Sequence, residues 1–174
     1  MFFDSIPKIL YDSKGNGEVK VVTNLLKRVA VRTKIKTNAL ILDTYNVKNG
    51  ETPESIADKL YDDPELHWVV LMINDITDRY HQWPMYEQQF NTYVTEKYDN
   101  PDGVHHYEIS QSSGDTTEKI DVGLNVADYP SADVISNYQY EESLQNEKRK
   151  IRLIQPRFIS DFVDEFEAKI KEGA

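Results

Sequence analysis

The sequence predicts an α+β fold, and three observations carry that expectation. Residues 40–47, Leu-Ile-Leu-Asp-Thr-Tyr-Asn-Val, form a β-rich run that stops at the turn signal Lys48-Asn49-Gly50. Two helix-start signals follow at once, Thr52-Pro53 and Asp63-Pro64, each setting a capping side chain before a proline at the first helical position. Towards the other end a short β-forming run, Ile151-Arg152-Leu153-Ile154, precedes an amphipathic pattern from Arg157 to Lys171 that opens at Pro156.

The elements follow in order. The opening run from Phe2 to Tyr11 is apolar but interrupted by Pro7, which suits an extended arm or an edge strand. Such an arm is ordered only where something holds it. After the loop Asp12-Ser13-Lys14-Gly15-Asn16-Gly17, the segment from Val21 to Lys36 is apolar and basic with a period shared between helix and strand, and helix is favoured around Val22 to Val29. The strand at 40–47 comes next. Ile56, Ala57, Leu60 and Tyr61 recur at helical spacing, so a first helix is expected from Pro53 to Tyr61. A second, from Glu65 to Ile73, is apolar on nearly every side and is expected at the centre of the protein, with Asn74 as a left-handed cap.

Residues 75–84 read as a loop, and 85–98 resume a helical pattern through Tyr86, Phe90, Tyr93 and Val94. Turn clusters at Asn100-Pro101-Asp102-Gly103 and Ser112-Ser113-Gly114-Asp115 separate alternating runs at His105 to Ile109 and Lys119 to Val122, as in a hairpin insertion. Residues 132–150 look helical and polar. The chain is thus expected to divide into an arm and basic segment (1–39), a core (40–84), a helix and hairpin insertion (85–131) and a C-terminal helix-strand-helix region (132–174).

Charge is distributed unevenly. Residues 1–40 hold 8 Lys/Arg and 3 Asp/Glu, residues 41–147 hold 5 and 22, and residues 148–174 hold 7 and 5. A duplex-binding protein gathers its cations on one face to neutralise phosphates, so nucleic acid is not expected as a partner of this acidic body with basic ends. Opposite charges along one chain suit contact between protein subunits, and so does a content of 11 Tyr against 6 Phe and 2 Trp. With no cysteine there is no disulfide framework, thiolate nucleophile or Cys-ligated metal, and an intracellular chain is the simplest reading. The longest wholly apolar run, Trp68 to Ile73, is far short of the roughly 18 residues that a membrane span needs. The first residues lack the basic and apolar regions of a signal peptide.

Catalytic and metal chemistry finds little support. His67, His81, His105 and His106 form no HExxH or zinc-type spacing, and His105 and His106 are expected on opposite faces of a short strand. The run Asp99-Asn100-Pro101-Asp102-Gly103 places proline where a calcium ligand would sit and lacks the bidentate Glu. Asp62, Asp63 and Glu65 lie in an interhelical step, where capping occupies them. No nucleophile elbow, phosphate loop or dinucleotide fingerprint is present. No catalytic, cofactor or metal site is expected.

The segment from Tyr45 through Asn49-Gly50-Glu51-Thr52-Pro53 and Asp63-Pro64 to Leu71-Met72-Ile73-Asn74-Asp75 resembles a LysM module, a family with a βααβ fold that often binds N-acetylglucosamine polymers. A wider, ordered set covers the chain: Phe2-Phe3-Asp4, Trp68 to Asp75, Asp78-Arg79-Tyr80-His81-Gln82-Trp83, Tyr140-Glu141 to Asn146-Glu147-Lys148, and Ile151 to Ile154. Taken together these blocks look like the small LysM-like wedge subunit of contractile-tailed phage baseplates. That resemblance implies a LysM-like βααβ core with N- and C-terminal extensions, and a virion structural protein without catalysis or cofactor. It further implies a tail-baseplate location after assembly in the host cytoplasm, and hetero-oligomeric contact with larger wedge proteins, linking neighbouring wedges in the ring. No membrane partner is expected.

The contact residues expected on this reading are Phe2, Phe3, Trp68, Leu71, Tyr80, Trp83, Phe158, Phe162 and Phe166. The alternative is a peptidoglycan-binding tail module using the turn from Lys48 to Thr52 and the helix exit from Asn74 to Ile76, although turn and capping duties already employ those residues. Peptidoglycan is therefore not the expected partner. Trp68, Val70 and Leu71, placed on the outward side of the second helix, are to be covered by the chain itself or by another subunit. The stripe Phe158, Ile159, Phe162, Val163, Phe166 and Ile170 could likewise pack on the chain's own core or on a neighbour.

Overall fold

The computed structural model describes residues 5–27, 29–31, 35, 38–111, 118–124 and 127–172; Phe2, Phe3 and the turn cluster Ser112 to Asp115 lie outside the described residues. In chain order the first elements are β1 (Lys8–Tyr11), β2 (Lys20–Thr23), β3 (Leu42–Asn46), α1 (Pro53–Tyr61), α2 (His67–Ile73), α3 (Arg79–Gln82) and α4 (Glu87–Lys97). There follow β4 (Val104–Ser110), β5 (Lys119–Gly123), β6 (Asp133–Ser136), α5 (Asn137–Arg149), β7 (Lys150–Ile154) and α6 (Ile159–Lys171). The chain is mixed α and β, as expected, and forms two compact units: residues 1–47, 51–83 and 150–174, and residues 48–50 and 84–149.

In the first unit, β1 and β2 form an antiparallel ribbon with Ile9 opposite Val22 and Leu10 opposite Val21. The Asp12 carboxylate turns the connection by accepting the backbone N–H groups of Lys14, Gly15 and Gly17. The helix expected around Val22 to Val29 is corrected: its start is the end of strand β2. Val21, Val22 and Thr23 are β-branched and stiff at χ1, and Leu10, Ile9 and Lys8 of β1 give them cross-strand partners that an isolated helix would lack.

β3 and β7 pair antiparallel, Tyr45 opposite Ile151, and β7 arrives only after the whole second unit has been traversed. Gly50 adopts φ +80°, which a glycine takes at no steric cost, and so turns the chain towards α1. Thr52 then caps α1 by accepting the Ser55 N–H while the Ser55 hydroxyl accepts the Thr52 N–H, a reciprocal capping box. Asp62 closes α1 in the left-handed region, and Asp63 caps a short 3-10 turn, Pro64–Leu66, that takes the place of the expected first turn of the second helix.

The left-handed cap expected at Asn74 is also corrected. Asn74 has φ −97° and Asp75 takes the left-handed conformation at φ +56°. The reason lies in tertiary structure: the Asn74 amide donates to the carbonyls of Val70 and Arg152, each at 2.8 Å, and its oxygen accepts the Arg152 N–H at 2.8 Å. One side chain thus ends α2 and fastens it to β7.

As its composition demands, α2 is covered on more than one side. Val70 packs with Val47, Ile56, Ala57, Trp83, Ile151 and Leu153. Val69 and Ile73 meet Leu42 and Ile154, with Ile159, Phe162 and Val163 of α6 against them. Ile6, Phe166 and Ile170 form a third cluster that Trp68 and Met72 flank. The stretch read as a loop between residues 75 and 84 contains α3, whose start is capped by Asp78 accepting from Tyr80 and His81 N–H.

In the second unit, β4 pairs with β5 as the expected hairpin and with β6 on its other edge. Strand β6 corrects the helix expected from residue 132: Asp133 to Ser136 is extended because Val134 and Ile135 find partners on β4, and the helix starts at Asn137. The Phe90 ring of α4 meets Tyr138 of α5 edge-on at 5.2 Å, and Val94 is fully buried.

Candidate interaction surfaces

The contact residues expected from the sequence fall in different environments. Trp68 is half-buried, with its ring 4.5 Å from Phe166 and 6.3 Å from Phe162, so three of them form one aromatic cluster where α2 meets α6. Phe166 is buried in the unit's own core, while Phe162 and Phe158 are half-buried, Phe158 lying beneath the Arg157 guanidinium at 4.6 Å. Leu71 is half-buried against the first cluster. Trp83 is buried and donates its indole N–H to the Glu51 carbonyl at 2.9 Å. Tyr80, by contrast, is 88% exposed at the start of α3. Beside it, Arg79 donates to Glu54 at 2.5 Å and His81 Nδ1 lies 2.6 Å from Asp78 Oδ2, so polar contacts hold the helix that presents the ring. Val70, expected on the outward side of α2, is almost wholly buried by the chain itself.

Sequence reasoning missed two features. One is the apolar exposure of the β1–β2 ribbon, for which the consecutive apolar residues Ile9, Leu10 and Tyr11 were the available signal. The other lies in the second unit. Adjacent strand residues normally point to opposite faces, but the register shifts between Val104 and His106 where β4 meets β6. In consequence, His105 stacks on Tyr140 at 3.9 Å while its Nδ1 lies 2.8 Å from Nδ1 of His106, where one nitrogen must donate and the other accept. Glu108 Oε1 lies 3.0 Å from His106 Nε2. The expectation of opposite faces for the two histidines is therefore corrected. A bulge depends on the partner strand, and no local signal announces it.

Electrostatics fixes these scaffolds. Burial pushes the Tyr61 hydroxyl up to about 12, so it stays protonated and donates to the Ile154 carbonyl at 2.9 Å. Burial and the neighbouring Glu51 carboxylate likewise raise Tyr45, whose hydroxyl donates to Glu51 at 2.8 Å. In the second unit Glu141 is buried and accepts from Lys97 at 2.7 Å and from Tyr98 at 2.8 Å. Burial alone would raise that carboxyl; the two donors and the Lys97 charge more than offset it and hold it below the usual range. Each of these groups is engaged in structure, with none held as a free nucleophile or acid. Among the described residues no three His, Asp or Glu side chains converge on a possible metal site, and no helix is long and apolar enough to cross a membrane.

With the geometry established, comparison with known proteins adds an end-to-end likeness. The family model described as "Base plate wedge protein 53" matches residues 1–173. Baseplate wedge protein gp53 of Enterobacteria phage T4 is 27% identical over 179 residues, which cover 94% of this chain and 91% of that protein.

Proposed function

The chain belongs to the base plate wedge protein 53 family, and on that premise we propose that it serves as a structural, non-enzymatic subunit of a contractile tail baseplate. It joins larger wedge proteins in a hetero-oligomer and helps link neighbouring wedges into the ring, with assembly in the host cytoplasm before the baseplate becomes part of the virion. The observation that carries this reading is that the family likeness runs from residue 1 to residue 173. The form of the first unit supports it: Tyr80 stands out from a helix held by the Arg79–Glu54 ion pair, and the Trp68–Phe162–Phe166 cluster remains partly open. A solvent-exposed tyrosine on a rigid support supplies large amphipathic contact area at low entropic cost. Nucleic acid, membrane and peptidoglycan have no part in this reading.

The test is reconstitution. Wedges prepared without this chain are mixed with the purified full-length protein, and ring formation is counted by electron microscopy. Rings are expected only when the chain is present, and incorporation is expected to fall for Tyr80→Ala. Rings that close equally well without the chain would sink the linking role.

A further inference from the structure

The β1–β2 ribbon is unusual for a soluble protein. Among the described residues its strands pair only with each other, and seven of their eight residues are exposed. An isolated two-stranded hairpin is marginal in water, yet this one shows Leu10 at 68% and Val21 at 65% exposure, with Tyr11, Val19 and Val22 also in solvent. The hydrogen bond from Asn24 N–H to the Pro7 carbonyl sets the phase of the ladder. By the alternation of an antiparallel pair, Lys8 and Leu10 on β1, and Val21 and Thr23 on β2, turn their backbone groups outward. Apart from the Thr23 carbonyl, which accepts the Leu25 N–H at 3.0 Å, each outer edge therefore offers donors and acceptors beside apolar side chains.

We propose that this ribbon accepts an extended segment of another wedge protein as a third strand, one with alternating apolar residues flanked by acidic ones. The inference rests on the wedge reading above. Three observations select this occupant. Outward N–H and C=O groups are satisfied by another strand, whereas a helix has already spent its own. The aliphatic pairs Leu10/Val21 and Ile9/Val22 lie on opposite faces, matching the two faces of an alternating strand. Lys8 and Lys20 sit at diagonally opposite ends of the ribbon and Lys14 in its loop, and among the described residues none of the three has an ion-pair partner, so acidic flanks fit. A second copy of this chain fits less well: a ribbon this small offers far fewer than the roughly 20 to 30 residues a side of a stable interface. A partner already held in the same assembly gains the contact as an effectively intramolecular one.

The experiment follows amide hydrogen exchange in full-length protein, free and incorporated into wedges prepared without it. The expected result is about tenfold or greater slowing at the outward amides of one edge, Lys8 and Leu10 or Val21 and Thr23, on incorporation. Leu10→Pro, which removes one outward donor, and the exposed pair Leu10→Lys with Val21→Lys should each reduce incorporation while leaving the circular dichroism spectrum unchanged. Incorporation with ribbon amides as exchangeable as in the free chain would overturn this inference and leave the wedge reading standing. Protection that rises with the concentration of the free chain alone would show a second copy as the occupant instead. Failure of the wild-type chain to incorporate would overturn the wedge reading, and this inference with it.

Discussion

At the scale of the residue, single side chains fasten distant parts of each unit. Asn74 makes three hydrogen bonds that join α2 to β7, and Arg152 uses both its backbone groups in them. Truncation leaves those groups short of partners in a half-buried place, where an unsatisfied group costs about 1 to 3 kcal/mol. Asn74→Ala is therefore expected to lower stability by about 2 kcal/mol, read as a shift in the urea midpoint at unchanged m-value. Asn74→Asp should do worse, because an acceptor would replace the donor facing the Val70 and Arg152 carbonyls. In the second unit Glu141 gives a pH signature. Its folded-state carboxyl is held low, so its contribution is fully present above the unfolded carboxylate value and is lost as pH falls through the folded value. Glu141→Gln should weaken the unit at pH 7 and flatten that acid limb, and urea titrations across pH 3 to 7 check both. The sequence showed Asn74 as a helix end. Its bonds to Arg152 could not be read, because the partner lies far along the chain.

At the scale of the element, the burial within α2 and α6 decides what a substitution costs. The fully buried members of α2 are Val69, Val70 and Ile73, while Leu71 and Met72 are half-buried. Ile73→Ala is expected to cost about 2 to 5 kcal/mol and Leu71→Ala less, a ranking that denaturant midpoints test directly. The α6 stripe is divided in the same way: Phe166 and Ile170 are buried against Ile6, whereas Phe158 and Phe162 keep part of their surface. Phe166→Asp would place a charge in the core and unfold the first unit, so Phe162, which packs on Val69 and Ile73 but keeps part of its surface in solvent, is the less costly of the two aromatic residues of α6 to alter as a probe of assembly. Phe162→Asp should leave circular dichroism native, and its incorporation into wedges measures whether that face docks. Helix periodicity made both elements legible. It could not say which residues of an almost wholly apolar helix lie deepest, since that depends on the elements laid over it.

At the scale of the whole molecule, among the described residues the three apolar clusters of the first unit consist of that unit's own side chains. Replacing residues 84–149 by a flexible Gly-Ser linker should therefore leave a chain that folds cooperatively. A sharp thermal transition by circular dichroism is the expected readout, and a molten profile would show that the second unit is required for the core. What the sequence determined by itself is whatever local chemistry dictates: the Thr52 cap and Pro53 start, the strand that stops before the Asn49-Gly50 turn, the β4–β5 hairpin, the apolar centre in α2, and the family, through blocks spread along the chain. Tertiary structure decided the rest. Val21 to Thr23 became a strand because β1 lies beside it, Asp133 to Ser136 because β4 does, and His105 met His106 because the register against β6 shifts there. Propensity and periodicity report what a segment favours alone, whereas a strand, a bulge or a buried face exists only through the partner that completes its hydrogen bonds and covers its apolar side.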